Sequence, residues 1–159
     1  MIKITLPDGS IKEFAKLSTP MDVAKSISEG FARNVISANF NNITVETTTP
    51  LTTDGSLILY TFNDNAGKKA FWHSSAHVLA EAILSFYPKA KLTIGPAIDT
   101  GFYYDVDFGE TSIAEKDLVS VEKKMIEIAR GKHEFSLRSM TKAEALAYYK
   151  EQKNQYKVE

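Results

Sequence analysis

Cysteine is absent from the 159 residues, and no apolar run is long enough to cross a bilayer. Without thiols the chain can form no disulfide and use no thiolate, so a metal would need His, Asp or Glu ligands. A membrane-spanning helix needs about 20 consecutive apolar residues. The early turn in MIKITLPDGS is not typical of a secretory signal. We therefore expect no membrane association and a cytoplasmic location.

An excess of charge of either sign is also missing, because 19 Lys and Arg face 20 Asp and Glu for a net charge of −1. Proteins that hold nucleic acid through its phosphates usually carry a basic surplus. Any RNA contact would therefore use local patches or another domain. The candidate patches are Lys68-Lys69, Lys89 with Lys91, and Lys123-Lys124 continuing to Arg130 and Lys132. Solvated lysines on helix and loop surfaces are the simpler explanation of each patch.

What is present indicates a globular α+β chain, since 43% of the residues are hydrophobic and 25% are charged. Its first thirty residues predict a β-hairpin and then a helix. Apolar residues alternate with polar ones before a Pro-Asp-Gly-Ser turn. Thr19 can cap the helix, with Asp22 three residues later near the positive end of the helix dipole. The predicted buried stripe is Val23, Ala24 and Ile27, and the predicted stop is Gly30.

Three more strands are predicted at residues 35–40, 43–45 and 56–62. The last is apolar enough for a central strand buried on both faces. One helix packed on such a sheet is the β-grasp arrangement. Gly67-Lys68 lacks the upstream glycine of a nucleotide-binding P-loop. Residues 1–62 therefore predict a binding or scaffolding module.

A second unit is predicted after a polar linker at residues 63–69. It opens with a helix over about residues 70–86, which Tyr87-Pro88 ends. The predicted core stripe of this helix is Trp72, Ala76, Leu79, Ile83 and Phe86.

Two histidines, His73 and His77, lie one turn apart on an adjoining face of this helix, which continues as Ala80 and Leu84. Four-residue spacing brings two imidazoles side by side. The pair can supply half of a zinc site, but Ser74 stands where the H-E-x-x-H metalloprotease helix has Glu. The rings can instead act as hydrogen-bonding and acid/base groups near neutral pH. Two histidines without a chemical task are the alternative that spacing alone leaves open.

The rest of the second unit predicts alternating strands and helices. We expect strands over residues 91–98 and 102–108, a turn at 99–101, and Tyr104 on the face of Phe102, Val106 and Phe108. Two capping boxes, Ser112 with Glu115 and Thr141 with Glu144, predict helices ending at Gly131 and near Gln152. The predicted core face of the first helix is Leu118, Val121, Met125 and Ile128. Short strands are expected at residues 133–137 and 156–158, with His133 at the surface.

Several motifs, taken in order, resemble the threonyl-tRNA synthetase family, and the resemblance covers essentially the whole chain. These motifs are Ile4-Thr-Leu-Pro-Asp-Gly-Ser10, Pro20-Met-Asp-Val-Ala24, His73-Ser-Ser-Ala-His77, Ile94-Gly-Pro96, Gly101-Phe-Tyr-Tyr-Asp-Val-Asp107 and Tyr156-Lys-Val158. The resemblance implies that residues 1–62 form a TGS domain, a ubiquitin-like β-grasp module. It implies that residues 70–159 form the N-terminal part of an α+β editing domain of the threonyl and alanyl type.

The resemblance also implies roles for four residues in the hydrolysis of mischarged seryl-tRNA. His73 would contact the terminal ribose hydroxyl and the ester, and Lys157 would position water or stabilise the oxyanion. His77 would shape the pocket, and Tyr104 would line it or exclude the methyl group of threonine. Related alanyl enzymes bind zinc with two such histidines. Threonyl members are regarded as metal-free here, so we expect no cofactor and keep zinc on His73 and His77 as a secondary hypothesis.

The chain departs from the family pattern in what we expect to follow Glu159. The second editing motif, with a cysteine and a further histidine, is expected there, as are the aminoacylation core and the anticodon-binding domain. ATP, Mg and Zn sites belong to that core, and so does the family's dimer interface. We therefore expect an N-terminal segment that alone neither ligates threonine to tRNA nor edits efficiently. The parent's partners would be tRNA(Thr), threonine and ATP.

Two other functions use the same features. A free-standing trans-editing hydrolase would use the histidine pair but should contain its remaining ligands. A regulatory TGS-type binding module would bring a P-loop or a nucleotide-transfer domain, and nothing after residue 62 resembles either.

Overall fold

The computed structural model describes residues 1–131, 133 and 138–158. The chain divides into two compact units, Met1–Phe71 and Trp72–Glu159. Each unit combines helices with β-strands, so the predicted α+β class is confirmed. No described helix combines the length and the apolar content that crossing a bilayer requires.

A five-stranded mixed sheet forms the first unit, with strand order β2-β1-β5-β3-β4. Its elements are β1 (Ile2–Thr5), β2 (Ile11–Phe14), α1 (Pro20–Ile27), α2 (Glu29–Ala32), β3 (Val35–Phe40), β4 (Ile43–Val45) and β5 (Gly55–Thr61). Strand β1 pairs antiparallel with β2 and parallel with β5, and β3 pairs antiparallel with both β4 and β5. The β-grasp prediction is confirmed, with β5 at the centre of the sheet.

The core of the first unit is the set of apolar side chains that β1, β3, β5 and α1 bury together. Its members are Ile2, Ile4, Leu6, Val23, Ala38, Leu51 and Leu57. Burial of β5 on both faces was a wrong prediction, because Ile58 remains 40% exposed while its neighbour Leu57 is fully buried. Only one face of this strand therefore contributes to the core.

Helix α1 begins as predicted and ends earlier than predicted. Thr19 Oγ1 accepts from the backbone N–H of Asp22, and the Asp22 carboxylate accepts from the backbone N–H of Thr19 at 2.9 Å. The helix stops at Ile27 because Ser28 is extended (φ −167°) and caps the next helix through a bond from the Phe31 N–H to Ser28 Oγ at 3.0 Å. Gly30 therefore lies inside α2 and does not end α1. Ile27, predicted to be buried, is 46% exposed.

Helix α3 (Asn65–Phe86) begins before the predicted start near Ala70, so residues 65–69 of the predicted linker are helical. Gly67, which we interpreted as a linker glycine, lies against the Thr61 carbonyl, where a β-carbon would overlap the oxygen. The missing side chain here permits a close backbone approach and does not break the helix. In the predicted core stripe of α3, Ala76 and Ile83 are buried, whereas Phe86 is 48% exposed.

Short strands and two helices follow α3 in the second unit. The elements are β6 (Lys91–Leu92), β7 (Ala97–Ile98), β8 (Gly101–Phe102), β9 (Val106–Asp107), α4 (Glu115–Arg130), α5 (Lys142–Glu151) and a 3₁₀ turn at Gln155–Lys157. Strand β6 pairs antiparallel with β9, and β7 with β8. The predicted continuous strands 91–98 and 102–108 are thus each interrupted. Pro96 lacks the N–H that a continuous ladder needs, and the Tyr104 ring lies against Gly95 at the same point.

The helix caps of the second unit confirm one prediction and correct another. Helix α5 has the predicted capping box, with the Glu144 carboxylate accepting from the Thr141 N–H at 2.7 Å. The predicted pairing of Ser112 with Glu115 is wrong, because Asp117 accepts from the Ala114 N–H at 2.9 Å instead. Leu118, predicted in the core face of α4, is 52% exposed, whereas Val121 and Ile128 are buried.

The predicted strand at residues 156–158 is also wrong, since these residues belong to the 3₁₀ turn and its C-cap Val158. The predicted strand at 133–137 falls largely outside the described residues. His133 itself is exposed as predicted, with Nδ1 at 4.0 Å from a Glu81 carboxylate oxygen. The core of the second unit joins α3 and α4 through Ala82, Ile83, Val121 and Ile128.

Candidate functional site

The histidine pair lies on α3, where adjacent turns bring the two side chains into contact. The Nε2 atoms of His73 and His77 are 3.1 Å apart, and the ring centroids are 4.6 Å apart with an interplanar angle of 84°. Both residues are exposed at the helix surface. At this distance one Nε2 donates a proton and the other accepts it, so the two rings take complementary tautomers.

The environment of His77 favours its neutral form. Partial burial is the largest cause that lowers its pKa below 6.5, followed by the nearby charges of His73 and Lys157. A neutral imidazole at neutral pH can accept a hydrogen bond or a proton. The pair therefore retains an acceptor under physiological conditions, because two imidazolium rings could not share this bond.

Lys157 reaches this region from the other end of the second unit. It is the last residue of the 3₁₀ turn at Gln155–Lys157 and is exposed. Its positive charge contributes to the lowered pKa of His77, after burial and the charge of His73. Lys157 stands 80 positions after His77 in the sequence, so this electrostatic influence depends on the fold of the second unit.

Tyr104 occupies the interruption between β8 and β9. Its ring packs against Gly95, where a β-carbon would overlap the ring atoms. Burial raises the pKa of the Tyr104 phenol, and the neighbouring Tyr149 raises it further. The phenol therefore remains a neutral hydrogen-bonding group across the physiological range.

Tyr149 connects this corner to a groove of about 360 Å³. The groove is formed by the end of α5 and the residues that follow it: Tyr149, Lys150, Lys153, Asn154, Gln155 and Val158. Neither histidine lines this groove. Both histidines are exposed on the surface of α3 and are not buried in a dry interior.

A metal would need more ligands than the pair supplies. Within residues 1–131, 133 and 138–158, no group of three or more His, Cys, Asp or Glu side chains could hold a metal ion. Zinc sites have three or four protein ligands. The described donors thus do not make a zinc site, and zinc at this pair remains a hypothesis.

The four residues that sequence reasoning selected are distributed over two neighbouring places. The structure brings His73 and His77 into contact, and the charge of Lys157 contributes to the lowered pKa of His77. It packs Tyr104 against Gly95, and Tyr149 contributes to the raised pKa of Tyr104. Sequence reasoning missed Tyr149, which no periodicity distinguishes from its neighbour Tyr148. It also missed a hydrogen bond from the Tyr156 hydroxyl to the Asp107 carboxylate at 2.9 Å. Chemically, the first group offers a neutral acceptor, a donor and a cation on one surface.

Comparison with known proteins finds one domain family and several similar tRNA ligases. The TGS domain model matches residues 2–61. Similar proteins include the threonine–tRNA ligases of Flavobacterium psychrophilum, 67% identical over all 159 residues, and Flavobacterium johnsoniae, 65% identical over the same length. The threonine–tRNA ligase of Cytophaga hutchinsonii is 48% identical over the whole chain. The chain spans about a quarter of the length of these relatives, 24% in the first two and 25% in the third.

Proposed function

We propose that this chain takes part in tRNA charging as a segment of a threonyl-tRNA synthetase, and that its second unit contributes to hydrolytic editing of seryl-tRNA(Thr). The TGS domain match and the similarity to threonine–tRNA ligases over the whole chain support this proposal. The complete protein would ligate threonine to tRNA(Thr) with ATP in the cytoplasm. Its ATP, Mg and Zn sites and its dimer interface would lie in a catalytic core.

A physical limit on discrimination explains the need for editing. Serine lacks one methyl group of threonine, and a missing methyl group changes binding by only about 1–3 kcal/mol, or roughly 10–200-fold. A second site that accepts serine and rejects threonine multiplies this ratio. The editing site would therefore bind a small hydroxylated aminoacyl ester at the 3′ end of tRNA.

The observation that carries this proposal is the hydrogen-bonded histidine pair with the Lys157 charge beside it. In the hydrolysis, water attacks the ester carbonyl, the carbonyl oxygen becomes an oxyanion, and the ribose oxygen leaves with a proton. His73 would contact the ribose hydroxyl and the ester. The neutral His77 would fix the tautomer of His73 through their hydrogen bond and would shape the pocket. Lys157 would position the water or stabilise the oxyanion.

Tyr104 would line the aminoacyl side of the site. Its phenol stays neutral because burial and Tyr149 raise its pKa. A rigid ring against Gly95 is suited to excluding the methyl group that distinguishes threonine from serine. Within the described residues no group of three or more His, Asp or Glu side chains could hold a metal ion, so no step is assigned to a metal here.

Deacylation of seryl-tRNA(Thr) by the complete synthetase tests the proposal. We expect His73→Ala to lower the hydrolysis rate by about 10²–10⁴-fold, the range for a lost acid/base or positioning group. Threonylation of tRNA serves as the control for folding. His133→Ala is the matched substitution, because His133 is exposed on the same unit and does not belong to the pair. Wild-type deacylation by His73→Ala would refute an editing role for the pair.

The 159 residues by themselves are proposed to be inactive. They contain no cysteine and span 24% of the length of the relative from F. psychrophilum. Incubating the isolated chain with seryl-tRNA(Thr) should therefore leave the ester intact. Rapid hydrolysis by the isolated chain would show that the site is complete without further residues.

A further inference from the structure

Two hydrogen bonds tie the segment after α5 to the β6–β9 strand pair. Asn154 Nδ2 donates to the Leu92 carbonyl at 3.2 Å, and the Tyr156 hydroxyl donates to Asp107 Oδ2 at 2.9 Å. The bonded residues are 62 and 49 positions apart in the sequence. We call these two bonds the strand clamp. They hold consecutive parts of one short segment on both strands of the β6–β9 pair.

The Asp107 carboxylate accepts the Tyr156 bond of the strand clamp and a second bond from a residue close in sequence, Gly109. Its Oδ1 accepts from the Gly109 N–H at 2.8 Å, which leaves Oδ2 for Tyr156. The Gly109 N–H is the largest cause that lowers the pKa of Asp107, followed by the Tyr156 hydroxyl and by the charge of Lys91. The carboxylate therefore remains ionised at neutral pH. Hydrogen bonds to a charged acceptor are stronger than those between neutral groups.

The segment that the clamp holds has little structure of its own. Lys153 reverses the chain after α5 in the left-handed region, with φ at 53°. This conformation is uncommon for residues with a side chain and persists when surrounding contacts support it. The following 3₁₀ turn is three residues long, and its Lys157 N–H bonds the Asn154 carbonyl at 3.2 Å. Such a turn is marginal by itself, so its location depends on its anchors.

Tyr156 immediately precedes Lys157, whose charge is one of the causes that lower the pKa of His77. We propose that Tyr156 and Asp107 are positioning residues, whose hydrogen bond holds the Gln155–Lys157 turn on β9 and thereby keeps the Lys157 ammonium beside His77. That this positioning matters for catalysis rests on the proposed editing function. Neither residue needs to touch the substrate, since both act through Lys157.

The geometry can be tested in the 159-residue chain without any assay of activity. The readout is the pKa of His77, followed by NMR titration of the imidazole signals. Lys157→Gln removes a positive charge, so the pKa of His77 should rise. Tyr156→Phe keeps the ring and removes only the clamp hydroxyl, and it should shift the pKa of His77 in the same direction. Tyr148→Phe, an exposed tyrosine on α5, is the matched control and should leave the pKa unchanged.

Two further variants make the result decisive. Asp107→Asn replaces two carboxylate oxygens by one amide oxygen, which cannot accept from both Gly109 and Tyr156, so the pKa of His77 should rise here too. In the double variant Tyr156→Phe/Lys157→Gln, the shift should equal that of Lys157→Gln alone, because both changes remove the same interaction. A wild-type pKa of His77 in Tyr156→Phe and Asp107→Asn would overturn the proposal, as would a wild-type value in Lys157→Gln.

Deacylation by the complete synthetase separates this inference from the proposed function. With the clamp broken, kcat for seryl-tRNA(Thr) should fall by up to about 10²-fold, the scale of a misplaced catalytic group, while the KM changes less. If the pKa of His77 shifts but kcat stays at the wild-type value in Tyr156→Phe, the clamp is only structural and the positioning role is refuted. Failure of His73→Ala to reduce deacylation would instead refute the editing function, and the NMR result would still decide where Lys157 lies.

Discussion

The two units bury their apolar residues in different ways. The largest fully buried side chains of the described chain, Ile2, Ile4, Leu51, Leu57, Val23 and Pro20, all belong to the first unit. Among the described residues of the second unit, half of the buried apolar ones are alanines, and α4 exposes Leu118, Val119 and Ile126 by 46–53%. The first unit is thus organised around a packed sheet, whereas the second holds polar and titratable side chains on open surfaces. Sites that bind and react are commonly carried by the less densely packed elements of a protein.

The largest effect that would sharpen this contrast is expected from Leu57→Ala. Leu57 is fully buried on the central strand β5, and removing such a side chain costs about 2–5 kcal/mol. Ile58→Ala on the opposite face, where the side chain is 40% exposed, should cost less than about 1 kcal/mol. Urea unfolding followed through NMR signals of β1 and β5 would measure both. Equal losses for the two variants would contradict a core confined to one face.

A smaller loss is expected in the second unit from Gly95→Ala. The added methyl group would overlap the Tyr104 ring, and overpacking of this kind costs about 1–3 kcal/mol. The readouts are urea unfolding followed by Trp72, the single tryptophan, and the NMR signals of Tyr104.

The matched control is Gly30→Ala in helix α2 of the first unit. A β-carbon there meets nothing closer than Ser28 Oγ at 4.0 Å. Replacing a helical glycine without a clash stabilises by about 0.4–1 kcal/mol. If both variants gained stability, Tyr104 would not be held against Gly95.

The smallest effects compare one capping box from each unit. Thr19→Ala at α1 and Thr141→Ala at α5 each remove a side-chain acceptor for a helical N–H, which costs about 1 kcal/mol. Chemical denaturation of each variant would measure the loss. We expect each loss to be confined to the NMR signals of the variant's own unit, and loss in both units together would mean that they unfold as one.

Lowering the pH should weaken both capping boxes, because it protonates the Asp22 and Glu144 carboxylates. The backbone N–H and the hydroxyl of the cap threonine lower the pKa of Asp22 and of Glu144. Because the folded pKa is depressed, each contribution is present above the unfolded values, 3.8 for Asp and 4.5 for Glu, and is lost as the pH falls through the folded value. Asp22→Asn and Glu144→Gln, which cannot titrate, should remove this part of the pH dependence.

Local patterns predicted much of the fold. The β-grasp strands, the capping boxes at Thr19 and Thr141, and the contact between His73 and His77 depend on residues a few positions apart, and the structure contains all of them. Predictions failed where a local signal was ambiguous. Gly67 was assigned to a linker although it lies in α3 and permits a close approach to Thr61. Gly30 was interpreted as a stop although Ser28 ends the helix.

The candidate site was predictable only in part, because some of its residues are far apart in the sequence and no local pattern links them. Tyr156-Lys157-Val158 was interpreted as a strand from its composition, but three residues carry too little information to choose a backbone conformation. The structure has a 3₁₀ turn there, and the Tyr156 hydroxyl of that turn donates to Asp107. Tyr149 became visible as a neighbour of Tyr104 only through the packing of the second unit.

The sequence alone determined which residues could cap helices, alternate along strands and stack imidazoles on successive helical turns, because those interactions span at most one or two turns of backbone. The tertiary structure decided which distant groups interact: Tyr156 bonds Asp107, and the charge of Lys157 acts on the pKa of His77. It also decided where the predicted strands 91–98 and 102–108 are interrupted. Such contacts depend on the path of the whole chain between their partners, and no short pattern encodes that path.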